Sequence, residues 1–301
     1  MRATVLTNRE FLPRYYLMRL HVPGFAPAFS PGQFIMVCPA AVGDPFLPRA
    51  FSILRSAPGR RAAGGHGRGV GRTRKDGRPG GGAEIEIVYR ALGRGTTLLS
   101  TLGRGNAAEV LGPLGGRGFR PTPAPAILVG GGVGIPPLVA LAESMAAARR
   151  RATPIPRRDP GRGTRDAGPL VLVGGRTKLD VLGVADFRRA GCRVQVATDD
   201  GSVGRRGLVT DLLESWLEGD GNRHAGARPT VYACGPEGML KAVRRIALAA
   251  GLPCQLSLEA NMACGFGGCM GCAIPVRGEG MGAYKLCCKD GPVFDARELR
   301  W

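Results

Sequence analysis

The stretch APAILVGGGVGIPPLVALAESMAAARR, residues 124–150, decides the fold class of this chain. It indicates a buried apolar strand, then a glycine turn, then a helix, because Pro136 and Pro137 suit the first turn of a helix. Leu138, Leu141 and Met145 are three and four residues apart and therefore share one helical face. Segments typical of strands and helices then alternate about every 15 residues as far as residue 251. This alternation predicts a doubly wound α/β domain with a parallel sheet.

The glycine turn stands between a strand and a helix, where backbone N–H groups and the helix dipole can face a pyrophosphate. Pro137 occupies the place of the third glycine in the G-x-G-x-x-G fingerprint, so a tight structural turn remains the alternative. A later segment, YACGPEGML, ends a strand at the edge where doubly wound sheets bind ligands, although a lone cysteine also suits a small buried position. The candidate nucleotide-binding residues are Gly130, Gly131, Gly132, Gly134, Cys234, Gly235 and Pro236.

The first 120 residues contain short strands separated by turn signals, and the only helical pattern among them is a short one near GTTLLSTL. YYLMRLHV and GQFIMVC are rich in aromatic, β-branched and other apolar residues. AEIEIVYR alternates glutamate with isoleucine, which is the period of a half-buried strand, and AEVLGPLG closes the series. These strands and their Gly and Pro turns predict a small antiparallel β-barrel.

Two motifs of this barrel are candidates for binding a flat ligand that carries phosphate. In PRAFSIL, Arg49 can pair with a phosphate, Phe51 can cover a flat ring and Ser52 can hydrogen-bond to a ring nitrogen. The alternative is an ordinary strand in which Phe51 is core and Arg49 is solvated. In VYRALGRGTT, a strand leads into a glycine turn at residues 93–96, which is a weak sign of an anion-binding loop.

The stretch MACGFGGCMGCAIPV, residues 262–276, carries the most specific chemical signal. Cys264, Cys269 and Cys272 follow the C-x4-C-x2-C spacing of plant-type [2Fe–2S] sites, and the intervening glycines allow backbone N–H groups to face sulfide. Zinc is the alternative, but it usually takes two short cysteine pairs and only one is present. A disulfide knot is disfavoured in a reducing compartment. The 14 residues that follow Cys272 favour Cys287 as the fourth ligand, and Cys288 is the neighbouring alternative.

Length and charge narrow the possible functions. A chain of 301 residues accommodates two domains and a small module. The net charge of +19 suggests a nucleic-acid partner, but residues 55–79 and 149–166 carry +12 of this charge. Both stretches are rich in Gly or Pro and have no aromatic side chains interleaved with the basic ones. We therefore predict disordered basic insertions and no nucleic-acid partner. No apolar run of 18 residues and no signal peptide is present, which predicts a cytoplasmic protein without a membrane span. The expected domains are a barrel at 1–120 with an insertion at about 56–83, an α/β domain at 121–251 with an insertion at about 149–168, and a cysteine lobe at 252–301.

In this order the three units resemble the ferredoxin-reductase superfamily, and within it the electron-transfer subunits of NAD-dependent (class 1B) dihydroorotate dehydrogenases. The resemblance covers nearly the whole chain outside the basic insertions. It is carried by PRAFSI, VYRALGRGT, LGPLG, GGGVGIPP, TDDGS, YACGPEGML, SLEANMACGFGGCMGCAIPV and CCKDGPVF. It implies that the barrel binds FAD, that the α/β domain binds NAD and that the C-terminal lobe holds a [2Fe–2S] cluster.

The resemblance also implies roles for individual residues. The expected FAD contacts are Arg49, Ala50, Phe51, Ser52, Val88, Tyr89, Arg90, Gly95 and Thr96. Ser52 would hydrogen-bond near flavin N5 and Cys234 would lie near the nicotinamide ring, so these two are the expected catalytic residues. The family places a cysteine two residues before DGPVF, which favours Cys288 over Cys287. The expected cluster ligands are therefore Cys264, Cys269, Cys272 and Cys288.

The implied function is electron transfer in pyrimidine synthesis. Electrons would pass from the FMN of a catalytic subunit, which oxidises dihydroorotate, through the cluster and FAD to NAD⁺, in a heterotetramer of two plus two subunits. The alternative is a subunit of an NADPH–ferredoxin transhydrogenase or a sulfhydrogenase, and a basic nucleic-acid binder with a zinc site is the alternative outside this class. The choice between NAD and NADP stays open, because Arg176 and Lys178 suit a 2′-phosphate whereas Asp180 suits a free ribose hydroxyl.

Overall fold

The computed structural model describes residues 1–39, 47–59, 81–152, 168–219, 228–278 and 283–301. The strands of the first sheet are β1 (Arg2–Leu12), β2 (Tyr15–Val22), β3 (Phe34–Pro39), β4 (Arg49–Ser52), β5 (Arg55–Pro58), β6 (Ala83–Arg90) and β7 (Ala107–Leu114). Their order is β4-β3-β7-β1-β2-β6-β5, and every pair is antiparallel. The short helix α1 (Arg94–Ser100) connects β6 to β7. The predicted antiparallel barrel is confirmed.

The chain from β4 to β5 closes this sheet into a barrel. β4 pairs with β3 and β5 pairs with β6, although only Ile53 and Leu54 separate β4 from β5. The Ile53 N–H donates to Gln33 O at 3.0 Å and the Leu54 N–H donates to Glu86 O at 2.9 Å, so the stretch joins the two edges. In β6 the isoleucines are buried and the glutamates are half-buried, as the alternation in AEIEIVYR predicts.

The second sheet contains the parallel strands β8 (Ala126–Gly131), β9 (Leu170–Gly175), β10 (Arg193–Thr198), β11 (Arg205–Arg206), β12 (Thr230–Cys234) and β13 (Cys254–Ser257). A separate hairpin, β14 (Ala273–Pro275) and β15 (Tyr284–Leu286), precedes β16 (Val293–Asp295), which pairs with β13 in the antiparallel sense. The strand order is β11-β10-β9-β8-β12-β13-β16.

Helices cover both faces of the second sheet. They are α2 (Ile135–Ala152), α3 (Val184–Arg189), α4 (Val209–Glu218) and α5 (Glu237–Ala249), and a last short helix, α6 (Cys287–Asp290), follows β15. Leu138 of α2 and Phe187 of α3 belong to one core cluster, whereas Leu213 of α4 and Val243 of α5 belong to another. The two clusters lie on opposite sides of the strands, so the predicted doubly wound arrangement is confirmed.

Some segment bounds differ from the sequence prediction. β13 and β16 fall within the predicted 252–301 lobe but are strands of the second sheet, because residues 254–257 pair in parallel with β12. Between β13 and β16 the structure describes residues 258–278 and 283–292, and we name residues 258–278 and 283–290 the cysteine segment. The predicted insertions include residues 56–58 of β5 and 149–152 of α2, while residues 60–80 and 153–167 lie outside the described residues. Among the described helices, none is long and apolar enough to cross a membrane.

Ion pairs from Arg55 join the barrel to the α/β unit. Its guanidinium lies 2.6 Å from Glu143 of α2 and 2.6 Å from Asp186 of α3, and its other nitrogen lies 3.3 Å from Glu86 of β6. The carboxylates of Glu143 and Asp186 raise the pKa of Arg55 against the opposing effect of its burial. Arg55 therefore belongs to a contact between the two units, although its sequence neighbourhood suggested a solvated basic loop.

Replacing Arg55 with methionine is expected to loosen this contact. Its partners are roughly one quarter to two fifths exposed, so solvent screening limits the loss to about 1 kcal/mol, or about 2–4 °C in melting temperature. Differential scanning fluorimetry measures this change. Arg245→Met is the matched control, since Arg245 pairs only at the surface of the α/β unit with Glu214 and should leave the melting temperature nearly unchanged. Equal melting temperatures for the two variants would contradict the assignment.

Candidate functional site

A cavity of about 970 Å³ lies between the barrel and the carboxyl edge of the second sheet. This volume is at the upper end of ordinary ligand pockets and accommodates a dinucleotide. The predicted residues that line it are Arg49, Ala50, Phe51, Ser52, Val88, Tyr89, Arg90, Thr96 and Cys234. Both barrel motifs and the YACGP segment thus meet at one cavity, although about 140 residues separate them in the chain.

Arg49 and the glycine turn before α1 lie together at the barrel side of the cavity. A Cβ atom on Gly95 would lie 2.7–2.8 Å from the Arg49 guanidinium, so the side chain rests directly on this glycine. The hydroxyl of Thr96 accepts the N–H groups of Leu92 and Gly93 at 2.9 and 3.1 Å and thereby closes the turn. An arginine guanidinium held against the turn before α1, beside the cavity, suits the pyrophosphate of a flavin dinucleotide.

Gly95→Ala is expected to displace Arg49 and weaken FAD binding about tenfold, because one charge-assisted hydrogen bond contributes about 1.5–3 kcal/mol. Titration of the flavin-free protein with FAD, followed by flavin fluorescence, measures the dissociation constant. Gly93→Ala is the control, since a Cβ atom there meets nothing within 4 Å. An unchanged dissociation constant in Gly95→Ala would remove the phosphate-binding role from Arg49.

The two aromatic residues of the barrel motifs have mainly structural side chains. Phe51 and Tyr89 belong to the barrel core, and their ring centroids lie 5.5 Å apart. The Tyr89 hydroxyl donates to Asn8 Oδ1 at 3.0 Å. For Phe51 this is the core position that the sequence left open as the alternative. Phe51 and Tyr89 both border the cavity. Ser52, the residue after Phe51, also borders it and is only half-buried.

Of the glycine turn and the YACGP segment, Val133 and Cys234 line the cavity, whereas the predicted glycines and Pro236 lie behind them and bring the two segments together. A Cβ atom on Gly134 would lie 2.4 Å from the carbonyl oxygen of Cys234, and one on Gly235 would lie 3.2 Å from the backbone of Gly131. Gly131 is also adjacent to the ring of Pro236. The structure therefore brings the two predicted nucleotide-binding segments into backbone contact at the carboxyl ends of β8 and β12. Burial strongly raises the pKa of the Cys234 thiol, which keeps it neutral.

The cysteine segment holds two close pairs of cysteine sulfurs. The sulfurs of Cys272 and Cys288 lie 3.2 Å apart, and Cys264 and Cys269 are hydrogen-bonded neighbours. Burial, the Cys272 sulfur and the charge of Cys264 all raise the pKa of Cys288, so the two pairs are within electrostatic reach. The buried thiol of Cys287 instead contacts Leu258 O at 3.5 Å, on the side of the cavity.

Backbone N–H groups in this segment favour ionised sulfur. The pKa of Cys264 is lowered to about 6, chiefly because the N–H of Phe266 faces its sulfur, and the N–H of Gly268 lies 3.3 Å from it. The Cys288 N–H donates to the Cys272 sulfur at 3.4 Å. Left-handed backbone at Gly265, Gly267 and Met270 gives the loop its tight curvature. Cysteine sulfurs with N–H donors around them are the donor set of an iron–sulfur cluster, so the chemistry of these residues fits that group. The sulfurs stand as two separate pairs, and among the described residues no three Cys, His, Asp or Glu side chains surround a single metal position.

The chain is similar in sequence to curated proteins over its whole length. Residues 259–300 match the family described as iron–sulfur cluster binding domain of dihydroorotate dehydrogenase B. The chain is 35% identical to the dihydroorotate dehydrogenase B (NAD(+)) electron transfer subunit of Caldanaerobacter subterraneus subsp. tengcongensis, over 99% of this chain and 98% of that protein. It belongs to the family of dihydroorotate dehydrogenase B electron-transfer subunits. The protein of the same name from Geobacillus thermodenitrificans is also 35% identical, over 99% of this chain and 97% of the relative.

The fold of this electron-transfer subunit is also found in solved structures. The NADH-dependent reduced ferredoxin-NADP oxidoreductase structure superposes with a TM-score of 0.72 and 24% identity, over 99% of this chain and 89% of that one. A ferredoxin reductase of carbazole 1,9a-dioxygenase gives a TM-score of 0.58 over 84% of this chain. At these identities the likeness shows the fold alone. The predicted family and its electron-transfer function are confirmed by the relatives, and the predicted iron–sulfur domain is confirmed by the matched family model.

The structure of this electron-transfer subunit adds two residues that sequence reasoning missed or misplaced. Glu259 is the only carboxylate among the described residues that line the cavity, and burial raises its pKa. Its position two residues after the end of β13, a strand that parallel pairing brings to the ligand-binding edge, was the available signal. Asp180 was a candidate for the ribose hydroxyl, but its carboxylate accepts the Tyr15 hydroxyl at 3.0 Å and lies 3.5 Å from Arg90. Asp180 is therefore engaged with the barrel.

Proposed function

We propose that this chain passes electrons between the FMN of a dihydroorotate-oxidising catalytic subunit and NAD⁺. The observation that carries the proposal is that one continuous stretch of chain connects the cavity to the candidate cluster ligands. Residues 257–262 line the cavity, and Cys264 follows two residues later as the first candidate cluster ligand. A flavin supplies exchange between one-electron and two-electron steps, and an iron–sulfur cluster supplies one-electron transfer. A short stretch of chain between the flavin cavity and the cluster ligands suits a protein that exchanges electrons between two-electron and one-electron carriers.

We assign the cofactor contacts as follows. Arg49 holds the flavin phosphates, the strand around Ser52 and Val88 borders the flavin ring, and the backbone contact between Gly134 and Cys234 shapes the place of the nicotinamide. Support comes from the shared cavity and from the Arg49–Gly95 contact. The assigned cluster ligands are Cys264, Cys269, Cys272 and Cys288, supported by the 3.2 Å separation of the last two sulfurs.

The catalytic partner docks, in this proposal, on the cysteine segment. Phe266, Met270 and Tyr284 of this segment are about 60% exposed, and Cys269 is exposed beside them. Large exposed apolar side chains next to a redox group suit a protein interface. We propose two copies of each subunit and a cytoplasmic location, where a reducing environment keeps the ligand thiols available.

The function is tested with the purified chain reconstituted anaerobically with FAD, iron and sulfide. It should reduce a dye with NADH and leave dihydroorotate unoxidised. After addition of the catalytic subunit from the same organism, dihydroorotate should drive NAD⁺ reduction. A chain with its full complement of FAD and iron that never supports NAD⁺ reduction with this subunit would disprove the proposed partner, while its NADH-to-dye activity would stand.

Changing the docking residues should weaken the complex without emptying the cluster site. Phe266→Ser and Tyr284→Ser are each expected to weaken binding of the catalytic subunit at least tenfold, since aromatic anchors at interfaces commonly contribute about 2 kcal/mol. Isothermal calorimetry measures the affinity, and iron content verifies the cluster. Leu208→Ser is the control, because Leu208 is 57% exposed but lies at the start of α4. Wild-type affinity in both aromatic variants would place the interface elsewhere.

A further inference from the structure

Asp180 of the α/β unit reaches across to two barrel residues. Its Oδ1 accepts the Tyr15 hydroxyl at 3.0 Å and lies 3.5 Å from Nη1 of Arg90. The guanidinium carbon of Arg90 in turn lies 5.1 Å above the centre of the Tyr15 ring. Tyr15 and Arg90 are opposite one another on β2 and β6, so the barrel presents them as a pair. The Asp180 side chain is only 15% exposed, which strengthens its interaction with both.

Arg90 is the member of this group that borders the flavin cavity. Its Nε atom is buried and has no hydrogen-bond partner in the part of the chain that the structure describes. The contacts that orient the guanidinium are therefore the Tyr15 ring and the Asp180 carboxylate, which comes from the other unit. The electrostatic potential at this side of the cavity therefore depends on both the Arg90 guanidinium and the Asp180 carboxylate.

The loop that carries Asp180 also belongs to the ligand-binding edge of the second sheet. It follows β9, and its Lys178 N–H donates to Ser202 Oγ at 2.7 Å in the loop after β10. The Asp200 N–H donates to the Arg176 carbonyl at 3.2 Å. Asp180 thus lies in the loop after β9, which is hydrogen-bonded to the loop after β10. Both loops are at the carboxyl edge of the second sheet, where such sheets bind nucleotides.

We infer that Asp180 is a positioning residue for the flavin site, which holds Arg90 against the cavity wall and offsets part of its charge. The inference rests on the proposed flavin site and extends it to a residue of the α/β unit. It accounts for an acidic side chain at the carboxyl edge of the second sheet whose carboxylate contacts the barrel. Arg90, which the family resemblance makes a flavin contact, then receives its orientation from the unit that binds the nucleotide.

The sign of the effect follows from the charges. Removing the Asp180 carboxylate leaves more positive potential at the cavity, and this favours the reduced, more negative flavin. Asp180→Asn is therefore expected to shift the flavin midpoint potential in the positive direction, and Asp180→Glu to restore most of it. In an Arg90→Gln background the Asp180→Asn change should give a smaller shift than in the wild-type background, because the part that acts through the orientation of Arg90 is lost and only the direct effect of the missing charge remains. Spectroelectrochemical titration of the FAD-loaded chain measures each potential.

Asp186→Asn is the matched control. It removes another acidic contact between the same two units, the one to Arg55, and should lower thermal stability without moving the potential. Loss of FAD from Asp180→Asn with retention in Asp186→Asn would support the same positioning role through affinity. Wild-type potential and FAD affinity in Asp180→Asn, or equal shifts in both variants, would overturn the inference. A wild-type chain that binds no FAD would instead disprove the proposed function.

Discussion

Replacing Cys288 with alanine is expected to abolish stable cluster binding, while Cys287→Ala retains the cluster. The sulfur of Cys288 lies 3.2 Å from that of Cys272, and Cys287 points away toward Leu258 O. Changes in the surroundings of metal ligands alone cost about 10–100-fold in affinity, so removal of a direct ligand should cost at least as much. Alanine is preferable to serine because a serine oxygen can still act as a ligand.

Iron and sulfide content after anaerobic reconstitution, together with the visible absorption and circular dichroism of the cluster, measures the outcome. Cys287→Ala serves as the matched control, because it removes a neighbouring and equally buried thiol at a packing cost of about 1 kcal/mol. Iron retained in Cys288→Ala but lost from Cys287→Ala would transfer the fourth-ligand role to Cys287.

Gly134→Ala is expected to reduce NADH-dependent dye reduction about 100-fold while FAD remains bound. The added Cβ atom would lie 2.4 Å from the Cys234 carbonyl oxygen and 2.5 Å from the Gly235 nitrogen, and backbone atoms cannot rotate out of the way as a flexible side chain can. The end of β12 must move instead, and a displacement of about 1 Å at a reacting centre costs about 100-fold in rate.

Stopped-flow reduction of the bound FAD by NADH isolates this step from the dye reaction. Gly238→Ala is the control, because this glycine lies two residues beyond Pro236 in α5 and a Cβ atom there meets nothing within 4 Å. It should be active and slightly more stable, since alanine favours a helix over glycine by about 1 kcal/mol. Full activity in Gly134→Ala would show that the contact between the glycine turn and Cys234 does not position the nicotinamide.

Several features were predictable because they depend on local spacing. The glycine turn, the alternation in β6 and the C-x4-C-x2-C motif each involve residues close together in the chain, so their geometry follows from helix, strand and loop periods. The same is true of the order barrel, α/β sheet and cluster segment. The relatives confirm the family that these motifs predict, and the matched family model confirms the iron–sulfur domain.

Other features could not be predicted, because they depend on which distant segments pack together. Arg55 lies in a strongly basic stretch of sequence, yet its partners Glu143 and Asp186 are 88 and 131 residues away. Phe51 was ambiguous between core and ligand contact, and the barrel core decides its side chain. Asp180 and Arg90 come from different units and meet only after both have folded.

The sequence by itself determined the family of this chain and its iron–sulfur domain, since both depend on short motifs whose residues are close together in the chain. Only the tertiary structure decided where the sulfurs of two adjacent cysteines lie. Cys287 and Cys288 are adjacent at the start of α6, where successive side chains point about 100° apart. The packing of α6 against residues 258–272 therefore turns one sulfur toward Cys272 and the other toward the cavity, a choice that counting residues along the chain cannot make.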